Sequence, residues 1–233
     1  KITNLICQVL NKGSKMHYSP TNEKCPLPYS PFKSCTVPRP IGWLSTLSED
    51  GIANLAPYSQ WQNLTFDPPL VMFAANQLSS GKRKDTVINA EKTGWFVWNM
   101  ATYDLREAVN ISAMELESSE DEFLHAGVSK QECIDTKVPR VKESPAHFEC
   151  KYLSTHRLAG NSNHGYVDVV YGQVMRIHVN DQYIDANGKM DIKKIRPLAR
   201  MGYYDYTSVT DVFEMRIPGA SSKASDGLEG KSS

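Results

Sequence analysis

The sequence lacks the features that mark several large functional classes. It carries no net charge, with 26 basic residues against 26 acidic ones, so no global field draws it to nucleic acid or to an anionic membrane surface. No apolar run approaches the roughly 18 residues of a membrane span. Its five cysteines (Cys7, Cys25, Cys35, Cys133 and Cys150) are odd in number, widely spaced and free of any C-x-x-C pair. That pattern is neither a disulfide framework nor a zinc site, and it suits a reducing, cytoplasmic location. The six histidines show no H-E-x-x-H spacing, no serine stands in a G-x-S-x-G elbow, and there is no G-x-G-x-x-G run. Metalloprotease, α/β-hydrolase and Rossmann dinucleotide chemistries are thereby set aside.

What is present suits one globular domain with elaborations: 233 residues, 40% hydrophobic and 22% charged. Ile2, Leu5, Ile6, Val9 and Leu10 repeat at helical spacing. Residues 1–15 are therefore an extension ahead of Met16 or a fragment of a targeting segment, without arginine or a cleavage pattern. A Pro-rich stretch over residues 17–38 predicts an extended arm. The expected division is an N-terminal extension and arm over 1–27, a domain over 28–218 and a disordered Ser/Gly/Lys tail over 219–233.

Within the domain, residues 41–47 predict a strand buried on both faces. Asp50-Gly51 predicts a tight hairpin turn with both residues at positive φ, and residues 52–56 the returning strand, ended by Pro57. After Asp67-Pro68-Pro69, residues 70–75 form a core strand. Asp85 is placed as the N-cap of a helix that Gly94 stops, and residues 95–99 form an aromatic strand. A helix capped by Thr102 is expected over 102–114, then a solvated acidic connection over 115–122, then a turn of helix over 123–128. Long strands over 146–158 and 166–179 follow, with Gly172 as a bulge or a close approach, and Asn187-Gly188 as a turn. Many short strands with two or three helices indicate a mainly β fold, a barrel with helical additions.

Four groups of residues can carry chemistry, and each also has a plain structural explanation. Lys82-Arg83-Lys84-Asp85-Thr86 opens a helix, where free N–H groups and the helix dipole favour a phosphate, with Ser80 and Thr86 as hydroxyl donors and Lys84 as charge; otherwise it is a solvated basic turn. Asn54-Leu55-Ala56-Pro57-Tyr58-Ser59 exposes backbone at a barrel rim that can meet the polar edge and the face of a planar heterocycle, or it is an ordinary strand exit. Ser45 and Thr46, set beside Ala56-Pro57 by the expected turn, offer hydroxyls to the same place or bond each other across the ladder. Arg39 and Arg200 can each pair with a phosphate or a carboxylate, or serve as surface ion pairs.

Taken in order, PRPIGWLST, DG, NLAPYS, DPPLVMF and KDTVINAEKTGWFVWN resemble the flavin reductase-like, FMN-binding split-barrel family, with GQVMRIHV and PLARMGYY as its closing segments. The succession covers roughly residues 28–206 and is far more specific than any single motif. The resemblance implies a six-stranded antiparallel Greek-key split barrel with a few peripheral helices. It also implies a homodimer with one FMN per subunit near the interface, and hydride transfer from NADH or NADPH to the flavin N5, which needs no acid–base residue. By position, Ser45, Thr46, Asn54, Ala56, Pro57, Tyr58 and Ser59 would line the flavin ring and ribityl chain, and Lys84, Asp85 and Thr86 the phosphate. One departure concerns the nicotinamide. Short members that use it carry an Asp-His pair shortly before the strand glycine, whereas here Tyr166-Val167-Asp168 precedes Gly172 and His164 lies too far upstream. An FMN carrier without nicotinamide turnover is the alternative.

Overall fold

The computed structural model describes residues 16–161 and 165–218; the extension over 1–15, the tail over 219–233 and His164 lie outside them. An arm with one short helix, α1 (Phe32–Cys35), leads into β1 (Arg39–Pro40), β2 (Gly42–Leu47), β3 (Ala53–Tyr58), β4 (Trp61–Phe66) and β5 (Pro69–Asn76). Helix α2 (Asp85–Thr93), β6 (Trp95–Met100), α3 (Arg106–Ile111), α4 (Glu122–Ala126), β7 (Lys130–Gln131) and β8 (Arg140–Val141) follow. The chain closes with β9 (Ala146–Leu158), β10 (Val167–Val179), α5 (Ile192–Ile195), β11 (Leu198–Arg200) and β12 (Tyr206–Ser208). Among the described residues no helix is long and apolar enough to cross a membrane.

Seven strands form one antiparallel sheet in the order β3-β2-β6-β9-β10-β5-β4. It curls strongly. Tyr58 on one edge strand packs on Phe73 of β5 at 5.2 Å, and Trp61 on the other edge strand stacks on Trp98 of β6 at 5.7 Å. Gly42 permits the Trp61 packing, because a Cβ there would sit 2.9 Å from the Trp61 Cβ. One core fills the concave side with Leu44, Val71, Phe73, Phe96 and Trp98. A second lies on the other face of β2 and β3, where Trp43, Leu55, Val109, Phe123 and Leu198 meet beneath α3 and α4. The expectation that β2 is buried on both faces therefore holds.

The hairpin differs from the expected two-residue turn. Only Gly51 has positive φ (82°); Ser48 N–H donates to Ile52 O at 2.8 Å and Gly51 N–H to Ser48 O at 3.0 Å. This is a three-residue loop with a left-handed closing glycine. It shifts the register by one, so Ser45 lies opposite Leu55 and Thr46 opposite Asn54, not beside Ala56-Pro57. Nor does Pro57 end β3. In the alternation that starts at the Ser48–Ile52 pair, Pro57 opposite Trp43 is a non-bonded position, so its missing N–H would have pointed off the sheet edge.

Three other expectations change. Lys84 occupies the N-cap of α2 and Asp85 its first turn, while Gly94 (φ 77°) ends the helix as expected. The helix expected over 102–114 shrinks to α3, because Tyr103 N–H donates to Arg196 O and Leu198 N–H to Ala101 O, tying residues 101–103 to the chain before β11. Strand β4 was not expected from the sequence, and all but its first residue is exposed. Gly172 is both a register shift and a close approach, with an added Cβ 2.4 Å from Phe96 Cζ.

Near β8, His147 is buried and donates from Nε2 to Val141 O at 2.7 Å. Burial first, then Arg140 and His178, push its pKa down to about 4, against the opposing pull of the Val141 carbonyl. The neutral ring is therefore favoured by folding, and that stability is present above pH 6.5 and lost as pH falls toward 4. Urea unfolding across this window should show a loss of up to about 3 kcal/mol. In His147→Gln that increment should be missing.

Candidate functional site

Strand β3 is an edge strand whose outer backbone groups face the start of α2 and the segment after α3. Leu55 N–H, pointing off the sheet, donates to Glu122 Oε2 at 3.0 Å, and Asn54 Nδ2 donates to Glu122 Oε1 at 2.8 Å. The carboxylate thus clamps the strand with two bonds. Burial raises the Glu122 pKa, while the donors at Leu55 and Asn54 act against that shift.

Beside the clamp lies a buried polar chain. Tyr58 O–H donates to Thr86 Oγ1 at 2.9 Å, Thr86 O–H to Asn54 Oδ1 at 2.8 Å and Thr46 O–H to the same Oδ1 at 3.3 Å, while Asn89 Nδ2 donates to Thr46 Oγ1 at 3.2 Å. The chain bonds β2, β3 and α2 together through side chains alone. Burial pushes the Tyr58 hydroxyl pKa up, so it stays a donor.

In front of this chain is a narrow cleft of about 100 Å³ walled by Asn54, Ala56, Pro57, Tyr58, Lys84, Asp85 and Thr86, with Met114, Glu115 and Leu116 opposite. No side chain caps α2. Among the described residues the backbone N–H groups of Asp85 and Thr86 have no protein acceptor. Among the described residues Lys84 Nζ meets only the exposed Glu115, at 3.3 Å, and Asp85 accepts from Ser118 at 2.9 Å. Of the expected acidic connection, residues 117–120 are solvent-exposed as expected, while Glu115, Leu116 and Glu122 line the cleft. Met114 and Leu116, apolar residues at the start of an acidic run, are the sequence signal for that packing.

The remaining candidates fall elsewhere. Arg39, Ser59 and Arg200 line a second, larger cavity of about 680 Å³, which shares Pro57 and Ala113 with the cleft. Ser45 and Thr46 are fully buried and line neither cavity; Ser45 donates to Pro139 O at 2.6 Å and receives Asn99 Nδ2 at 3.2 Å. They stand behind the wall and hold it. Ser80 is exposed and only accepts from Lys82 N–H at 3.4 Å. Arg83, in the middle of the basic run, is held by Glu91 at 2.6 Å and Asp168 at 2.8 Å. Glu122, Met114, Leu116 and Ala113 are among the wall residues that sequence reasoning missed.

A family model described as "Flavin reductase like domain" matches residues 34–199. The chain belongs to the flavin reductase-like family. A protein of Aquifex aeolicus is 35% identical over 173 residues, covering 72% of this chain and 84% of the relative. The structure is similar to component B of nitrilotriacetate monooxygenase from Bacillus cereus, with a TM-score of 0.79 and 26% identity, covering 88% of this chain and all of that one. It is also similar in fold to an FMN-binding protein from Thermus thermophilus, with a TM-score of 0.66 and 17% identity, covering 86% of this chain and all of that one. The fold is the mainly β split-barrel arrangement of these flavin reductase-like neighbours, and membership makes the chain an oxidoreductase-type, flavin-related protein.

The polar chain behind the cleft generates a stability test. Thr86→Val keeps the shape but leaves the Tyr58 hydroxyl without its acceptor, and urea unfolding should show a loss of about 1–3 kcal/mol. Adding Tyr58→Phe should recover part of that loss, as coupled partners do in a double-mutant cycle.

Proposed function

We propose that this protein is an FMN-dependent oxidoreductase that takes electrons from NADH or NADPH and delivers them to a second acceptor. What supports the reading most is the uncapped start of α2, which opens with Lys84 into a cleft bounded by the exposed edge strand β3. A helix N-terminus with free N–H groups and an adjacent ammonium is complementary to a phosphate monoester. Backbone along Asn54 to Pro57 offers carbonyl and small-side-chain contacts to a planar ring, and the shared wall at Pro57 leads from the cleft into the larger cavity. The donor set therefore fits a flavin mononucleotide, its phosphate on Asp85 and Thr86 N–H and on Lys84, its ring toward Pro57.

When bound, FMN would supply the redox chemistry, accepting hydride from a nicotinamide and passing electrons on. The protein would bind and orient. Thr86 contributes through its backbone N–H, because its hydroxyl already bonds Asn54 and accepts from Tyr58. Lys84 would exchange Glu115 for the phosphate. Glu122, Asn54 and the Tyr58–Thr86 pair would keep the edge strand and the helix start in fixed relation. Homodimerisation belongs to the same reading and is supported by apolar side chains left open on the sheet at Leu64, Phe66, Met175 and Ile177.

Fluorescence titration of FMN into Lys84→Ala should give a dissociation constant about tenfold or more above wild type, the loss of one charged hydrogen bond. An unchanged constant moves the phosphate elsewhere. Stopped-flow mixing of the FMN-loaded protein with NADH and with NADPH then tests turnover: rapid bleaching of the flavin band by either is expected, and bleaching by neither leaves an FMN carrier.

A further inference from the structure

The larger cavity has a chemistry of its own. Strands β1 and β11 pair antiparallel with Arg39 directly opposite Arg200, and opposed residues in such a pair project from the same face. Two like charges so placed repel. Lys33 lies in the same wall, giving three cations, and the wall holds no carboxylate. Among the described residues none of the three forms an ion pair.

The arginines are instead fixed by neutral partners. Arg39 donates to the carbonyls of Lys33, Thr36 and Met201. Arg200 donates to the carbonyl of Tyr203, and its guanidinium lies 4.5 Å from the Tyr206 ring centroid. These contacts hold both side chains in place without neutralising either. Arg39 keeps its Nε–H free of protein acceptors among the described residues. The rest of the wall includes four tyrosines, Tyr29, Tyr203, Tyr204 and Tyr206, and at about 680 Å³ the cavity is of small-molecule size.

We infer that this cavity is the binding site for a planar aromatic carboxylate. The carboxylate would lie between Arg39 and Arg200, against the Nε–H of Arg39 and the guanidinium donors that Arg200 does not give to Tyr203. The aromatic body would lie among the tyrosines, with one end at Pro57 and Ala113, where the cavity meets the cleft. That this ligand is the flavin's second reactant rests on the function proposed above; the anion pocket itself does not.

The test is calorimetry on the full chain loaded with FMN, with 2-naphthoate as probe, 2-naphthylmethanol as its neutral counterpart and inorganic phosphate as a plain anion. Naphthoate should bind, the alcohol about tenfold or more weakly, and phosphate should compete poorly. Arg200→Gln should weaken naphthoate by about tenfold or more, with Arg200→Lys falling between, since it keeps the charge and loses the fork. Equal binding of the alcohol, or phosphate competing as well as naphthoate, would overturn the inference without any variant. So would a wild-type dimer that excludes naphthoate and becomes monomeric in Arg200→Gln, which would make the cavity an interface between copies. If the wild-type protein binds naphthoate but fails to bind FMN, the flavin reading alone is overturned.

Discussion

The site depends on an edge strand that is held but not covered. A free strand edge exposes backbone groups that invite pairing with another strand. Here Glu122 occupies the edge at one point, taking Leu55 N–H and the Asn54 amide, and Pro57 removes the next outward donor altogether. The strand is fixed in position while its rim stays open to a ligand. Burying the Glu122 carboxylate raises its pKa, and the donors at Leu55, its own backbone and Asn54 act against that shift. The edge strand of the candidate site therefore rests on a buried acid from a helix distant in sequence.

The same economy operates at α2. Its first turn lacks a side-chain cap, which leaves N–H groups unsatisfied. The helix is anchored instead by its body. Val87 and Ala90 enter the concave core, and Thr86 and Asn89 bond to side chains of β2 and β3. Because packing and the Tyr58–Thr86–Asn54 chain hold the helix, its N-terminus is free for an anion. On the far side of Pro57 the paired arginines line the larger cavity, which shares Pro57 and Ala113 with the cleft.

Much of this was legible in the chain. The turn at Gly51, the stop at Gly94, both long strands and the special place of Gly172 follow from local rules about positive φ and period-two burial. The cleft's inner wall was legible only through the succession of five short segments, since each alone had an ordinary structural explanation. What sequence reasoning missed was set by tertiary contact. A one-residue loop difference moved Ser45 and Thr46 behind the wall. Pairing of residues 101–103 with the chain before β11 shortened α3, and β4 is exposed beyond its first residue, so no buried face marks it as a strand. The acidic run hid Glu122, because charge count predicts solvent, whereas one carboxylate in it meets two donors that only the fold brings near.

The central claim is that the start of α2 recognises the phosphate of a flavin whose ring lies along β3. Paired calorimetric titrations of FMN and riboflavin into the same flavin-free protein test it most directly, because the two ligands differ only in that phosphate. The account predicts FMN binding tighter than riboflavin by about a hundredfold or more, the contribution of two or three charge-assisted hydrogen bonds. Equal affinities would contradict it.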